Sequence, residues 1–283
     1  MADYQRLGFK DIFSINYQLE FYMGAVSLIT SAKAKGIEMC RPEILPAQGR
    51  CADIKGLFDL IYYNEANVYN IKTKSDKRDV VTNDITFDEN AGFYILTGAN
   101  NGGKTTFVRG FGICQALAQL GLYVPAQSCK ISICDYIYTH FPKEEELGIN
   151  TSRFTTEIKE FKTISDTITN HSLLLMNESI QSTTPQECID IAKRLVKIFC
   201  EIGVRGIFAT HLVDIAFAVN DLNKDEKIKT KLESIIVTVD DETGERKYKI
   251  KKSLPTEKSY ANTIFEKFGI NEADIRKRVA GMN

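Results

Sequence analysis

Eight consecutive residues, Gly98-Ala99-Asn100-Asn101-Gly102-Gly103-Lys104-Thr105, carry the spacing G-x-x-x-x-G-K-[ST]. Glycines let such a loop wrap a phosphate chain without a Cβ clash, and successive backbone N–H groups then point at the oxygens. The N-terminus of a following helix adds its positive dipole. Lys104 is placed to neutralise the β- and γ-phosphates and the Thr105 hydroxyl to ligate Mg²⁺, while Thr106 joins the loop residues Gly98 and Asn100–Thr105 in binding the nucleotide. An apolar run, Phe93–Thr97, leads into the loop and a helical stretch follows it. That context separates the loop from a chance glycine turn, and the implied ligands are ATP and Mg²⁺.

A second group lies downstream. Leu173-Leu174-Leu175-Met176-Asn177-Glu178 is a hydrophobic strand that ends in an acidic residue, the Walker B arrangement. Glu178 would face the γ-phosphate and orient or deprotonate an attacking water. The usual aspartate before it is Asn177, which keeps a carbonyl ligand for Mg²⁺ and loses the charge, so weaker metal binding is expected. Without the glycine loop, the same residues would read as a buried strand with a surface glutamate. His211 ends another apolar strand in Phe208-Ala209-Thr210-His211. A lone histidine there is commonly structural; in this company it fits a sensor of the γ-phosphate.

These residues need elements to hold them. Strands are expected at Phe93–Thr97, Lys130–Cys134, Ser172–Met176 and Gly206–Thr210. Helices are expected at Thr105–Leu120, Phe154–Thr169, Pro185–Ile202 and Leu212–Val219. Their alternation predicts an α/β fold with a mainly parallel central sheet flanked by helices. Upstream, residues 14–35 have helical spacing and stop at Gly36, while residues 37–90 read as short strands and turns, an antiparallel β subdomain. Downstream, Ile235–Val239 and Lys247–Lys251 form a hairpin around a turn at Asp240–Glu245. Helices over Ser259–Phe268 and Glu272–Val279 follow.

Composition narrows the class further. A net charge of −1 argues against a domain that grips nucleic acid unaided. Seven scattered cysteines without a C-x-x-C pair, and three histidines, make a zinc site improbable and suggest reduced thiols in a cytoplasmic protein. The apolar run Phe21–Thr30 is too short to span a bilayer and has no basic stretch before it, so neither a membrane partner nor a signal peptide is expected.

Several further motifs resemble the ATPase domain of the MutS family of DNA mismatch-repair proteins. Thr97 to Thr106 looks like that family's TGPNxGGKST loop, with Ala99 in place of proline. Leu117-Ala118-Gln119-Leu120-Gly121-Leu122-Tyr123-Val124-Pro125-Ala126 is close to its LAQxGxxVPA stretch, and Asp135-Tyr136-Ile137-Tyr138-Thr139 to its DxIxT segment. Ser152, Phe154 and Glu157 match S-x-F-x-x-E, with Arg153 where the family has threonine. Ser182-Thr183-Thr184 resembles the loop after Walker B.

The resemblance implies a P-loop NTPase of the ABC-ATPase-like type over residues 46–283, with its core at 91–222 and a C-terminal hairpin and helices at 234–280. Residues 1–45 would be a short N-terminal helical segment, the end of a lever. It further implies a homodimer, or a pairing with a MutS-like partner, in which Ser152 reaches the other subunit's nucleotide. Val80 would stand where the family often has an aromatic residue beside the adenine. The mismatch-reading, connector and clamp regions of such proteins have no counterpart here, so the chain looks like a C-terminal portion. DNA would be held mainly by domains it lacks. The implied location is cytoplasmic, and nucleoid-associated in a bacterium. Two other readings stay open: another ABC-type ATPase, although no LSGGQ-like loop is present, and a nucleotide-gated interaction module in which Asn177 has cost the chain its turnover.

Overall fold

Three apolar runs become strands buried at every position, and the remaining elements are arranged around them. The computed structural model describes residues 2–72, 80–99, 101–141, 153–239 and 246–255. In chain order these give α1 (Ala2–Ala34), β1 (Glu43–Leu45), β2 (Ala52–Leu57), α2 (Leu60–Lys72), β3 (Asn83–Phe87) and β4 (Phe93–Thr97). Then come α3 (Lys104–Gln119), β5 (Ser128–Ser132), β6 (Ile137–His140), α4 (Arg153–Thr167), β7 (Leu173–Asn177) and α5 (Pro185–Ile202). The last are β8 (Arg205–Ala209), α6 (Val213–Phe217), α7 (Val219–Leu222), β9 (Leu232–Val239) and β10 (Arg246–Lys252).

The central sheet has the order β10-β9-β4-β8-β7-β6. Every neighbouring pair is parallel except β9 with β10. Strands β4, β7 and β8 are buried throughout, as strands covered on both faces must be. Their side chains alternate between two cores. Tyr94 and Leu96 join Phe107, Val108 and Phe111 of α3 on one face. Phe93 and Ile95 join Val196 and Phe199 of α5 and Phe161 of α4 on the other.

A second sheet, ordered β1-β5-β2-β3, shares the α3 core. Here β1 is parallel to β5, and β2 is antiparallel to both β5 and β3. Phe87 of β3 stacks on Phe111 and meets Tyr94 edge-on, each at 5.0 Å, so aromatic packing ties the two sheets across α3.

Helix ends follow local chemistry. Gly36 (φ 75°) ends α1 with Gly36 N donating to Lys33 O and Ile37 N to Ala32 O, a Schellman cap. Pro185 opens α5 at its first turn and Gly203 (φ 103°) closes it, which is why that helix is legible to the residue.

The structure corrects three expectations. The strand expected at Lys130–Cys134 is Ser128–Ser132 and lies in the second sheet, not among the parallel strands. Its place in the central sheet is taken by β6, an edge strand whose half-exposed Ile137 and Tyr138 lack the apolar run that marks a buried strand. The segment 37–90 is not all strands and turns. Residues Leu60–Lys72 form α2, started by Asp59, whose Oδ1 accepts from Ile61 N at 2.9 Å. The expected helix Leu212–Val219 is broken at Ala218 into α6 and α7. The hairpin turn at 240–245 and the two C-terminal helices lie outside the described residues.

Candidate functional site

The loop between β4 and α3 can be built only from the residues it has. Gly98 (φ 137°) and Gly103 (φ 92°) occupy backbone conformations that side chains rarely adopt. A Cβ on Gly102 would stand 2.8 Å from Ala99 O, the carbonyl to which Gly102 N donates at 3.1 Å. The loop thus delivers Lys104 to the first turn of α3, where the free N–H groups of a helix start give positive potential. Lys104 Nζ donates to Gly98 O at 2.9 Å and Ala99 O at 3.2 Å. Burial pushes the Lys104 pKa below its ordinary value, and nearby Glu178 pulls it back up.

These residues line a cavity of about 780 Å³. Of the sequence-predicted set, Val80, Asn101, Gly102, Gly103, Lys104, Thr105, Thr106, Glu178 and His211 form its wall. Gly98 and Asn177 do not. Asn177 is buried behind the wall, and its Oδ1 accepts from Thr105 Oγ1 at 3.1 Å. Asn100 and Ser152 lie outside the described residues. Glu178 follows β7 in a left-handed conformation (φ 49°), with its N–H donating to Ala209 O at 2.7 Å. His211 also lines the cavity, its Nδ1 3.4 Å from Gln181 Nε2.

Asp59, Tyr62, Gln181 and Tyr248 are among the wall residues that sequence reasoning did not pick out. Tyr248 is the most informative. The β9–β10 register shifts between Arg246 and Ile250, and Tyr248 occupies the irregularity with φ 53°. Asn83 of β3 holds it there: Asn83 Nδ2 donates to Tyr248 O at 3.0 Å, and Asn83 Oδ1 accepts from Ile250 N at 2.8 Å. The ring approaches Gly103, where a Cβ would lie 3.3 Å from Tyr248 Cδ1. Asp59 braces the wall by capping α2 and pairing with Arg109 of α3, whose Nε and Nη2 each lie 2.6 Å from Asp59 Oδ2.

Chemically, the wall offers a buried cation at a helix start, the carboxylates of Glu178 and of Arg109-paired Asp59, the adjacent hydroxyls of Thr105 and Thr106, and aromatic rings that include Tyr62 and Tyr248. A polyanion with an apolar or aromatic end fits that division. Thr105 Oγ1 and Asn177 Oδ1 are neighbouring oxygens of the kind a hard divalent cation takes. Among the described residues there is no cluster of three or more histidine, cysteine or acidic side chains that could hold a metal by themselves. The seven cysteines are unbonded. No described helix is long and apolar enough to cross a membrane.

Comparison with known proteins gives a consistent answer. Residues 94–278 match the family described as MutS domain V. The DNA mismatch repair protein MutS of Thermotoga neapolitana is 30% identical over 206 residues, 71% of this chain and 25% of that protein. The MutS of Thermosipho melanesiensis is 35% identical over 138 residues, 48% of this chain and 17% of its own length. That of Chlorobium phaeobacteroides is 36% identical over 137 residues, 48% and 16% respectively. The matched part thus spans a quarter or less of these relatives.

Proposed function

We propose, since the chain belongs to the MutS family, that it binds and hydrolyses ATP in the cavity beside Lys104. It would act as the nucleotide-driven portion of a MutS-like DNA mismatch repair protein. The observation that carries this reading is the convergence of Lys104, the glycine loop and Glu178 on one cavity wall. A buried ammonium at a helix start attracts a polyphosphate, and a carboxylate across from it can take the proton of an attacking water.

On this reading, Lys104 exchanges its two loop carbonyls for phosphate oxygens, and Gly102 and Gly103 admit the phosphate chain without side-chain obstruction. Thr105 and Asn177 would hold Mg²⁺, which supplies charge neutralisation to the phosphates when bound. Glu178 orients and deprotonates the water, and His211 senses the terminal phosphate. Two copies would pair so that Ser152 of one completes the site of the other, and hydrolysis would time a clamp's grip on DNA. Phosphate release measured across a dilution series tests this. Specific activity should fall on dilution and in Ser152→Ala, and a flat response in both would sink the shared site.

Asn177 favours a second reading, a nucleotide-gated module with little turnover. The two separate on Asn177→Asp. An added carboxylate should lower the half-saturating Mg²⁺ concentration by about tenfold, because ligand charge sets the affinity of hard cations. If turnover appears only in that variant, the module reading stands and the ATPase reading falls.

Tyr248 would supply the aromatic platform that Val80 cannot, with the base held between these two wall residues. Base–aromatic stacking is worth about 1–3 kcal/mol, so Tyr248→Ala should weaken ATP binding about 10- to 100-fold. Tyr248→Phe should change it little. Equal losses in both variants, read by calorimetric titration, would assign the effect to the hydroxyl and not to stacking.

A further inference from the structure

Glu178 is one of two residues, separated by Ser179, whose backbone is unusual. Glu178 (φ 49°) and Ile180 (φ 60°) are both left-handed, a costly conformation for a β-branched residue such as Ile180. Such a turn persists only where its surroundings over-determine it. Part of the constraint comes from Glu178 N, bonded to Ala209 O. The rest lies in Ser179, the residue between, which is 1% exposed.

Ser179 Oγ lies 2.7 Å from His140 Nδ1 and 3.3 Å from His140 O, at the end of β6. The His140 imidazole is itself buried and stacks on Phe161 of α4 with ring centroids 4.4 Å apart. Its other nitrogen, Nε2, is 3.1 Å from Glu160 Oε2, also on α4. Nδ1 and the Ser179 hydroxyl are within hydrogen-bond distance, and either can donate according to the imidazole tautomer. A serine, a histidine and a glutamate in line suggest a nucleophile relay. Ser179 is enclosed, however, and does not line the cavity, so no substrate reaches its oxygen. The line must serve position.

We propose that His140 is a positioning residue for Glu178: the contacts Glu160–His140–Ser179 fix the left-handed turn that presents the Glu178 carboxylate to the cavity and tie that turn to α4. Of these three groups only Glu160 is more than slightly exposed, and none lines the cavity. The inference rests on the ATPase reading. It adds that the orientation of the acidic group is set from α4, the helix that begins one residue after Ser152. Movement of α4 at Glu160 would reach Glu178 through the side chains of Glu160, His140 and Ser179.

The test compares Ser179→Ala, His140→Ala, the double variant and His140→Asn. The asparagine amide stands near the position of the imidazole Nδ1 and can keep the bond to Ser179. Loss of one aligning hydrogen bond should lower kcat for ATP about tenfold in each alanine variant, with KM changed less than about twofold. The double variant should lose no more than either single one, since both remove the same contact. His140→Asn should recover at least about half of the lost kcat on a logarithmic scale. Parallel changes in KM, additive losses, or no recovery in the asparagine variant would overturn the proposal. Ser179→Ala removes a single oxygen and guards against a His140 variant that fails to fold.

Amide exchange supplies a readout independent of turnover. In Ser179→Ala, exchange over residues 177–182 should quicken about tenfold while α5 is unchanged. Unchanged exchange there refutes the positioning role. If the unmodified chain neither binds nor turns over ATP, the ATPase reading falls, and the exchange result still decides whether His140 fixes the turn.

Discussion

Glu178→Gln is expected to lower ATP turnover by about 10²- to 10³-fold while leaving ATP affinity within about threefold. The amide has the shape of the carboxylate and keeps its place at the end of β7, but it cannot accept a proton from water. Binding should survive because the attractive elements of the wall, Lys104 and the start of α3, are untouched. Removal of a negative charge facing the phosphates also costs nothing in affinity. One secondary effect follows from the electrostatics. Glu178 supports the charged form of Lys104 against burial, so its loss should depress the Lys104 pKa further. Single-turnover phosphate release together with equilibrium nucleotide binding checks the separation. Undiminished turnover would remove Glu178 from the proposed chemistry altogether.

Gly206→Ala is expected to be the most damaging glycine-to-alanine change among the described residues. Gly206 sits in β8 between β4 and β7, and a Cβ there would stand 2.5 Å from Leu174 O and 2.6 Å from Phe93 Cε2. One obstacle is the backbone of a neighbouring strand, and the other is a ring with no exposure. Neither can yield without separating strands, so the loss should reach about 3 kcal/mol, the upper end for overpacking. In urea the unfolding midpoint would fall by about 1 M. Gly24→Ala is the control. It lies in α1 with nothing within 4 Å of its added Cβ, and should be neutral or stabilise by about 0.5–1 kcal/mol. Similar midpoints for the two variants would show that the sheet tolerates the intrusion. A damaged β8 would also reach the site, because Ala209 O holds the Glu178 amide.

The parts of this molecule that could be read from sequence are those whose cause is local. The run Phe93–Thr97 is a strand because every residue is apolar or β-branched, and α5 starts at Pro185 and stops before Gly203 because those residues permit little else. The glycine loop is legible for the same reason: its φ angles demand its residue types. What failed was non-local. The segment Lys130–Cys134 reads like the other short strands, and only the partners β1 and β2 place the strand, at Ser128–Ser132, in the second sheet. Helix α2 starts at Asp59, but the same aspartate also faces Arg109, 50 positions away, and no local signal distinguishes the two duties. Tyr248 is the clearest case. In sequence it is one residue of a lysine-rich strand. It becomes part of the cavity wall through a register shift and through Asn83, 165 positions earlier.

That clamp has a mechanical consequence. Asn83 belongs to one sheet and the backbone it grips belongs to the other, so the cavity lies along the seam where the two sheets meet over their shared core. Val80 precedes the first sheet's β3, while Lys104 starts α3 and Glu178 ends β7 of the second sheet. A molecule that touches both sides works as a cross-link as well as a ligand. Its free energy of binding is added to the cohesion between the sheets, so a filled cavity should make the fold harder to unfold.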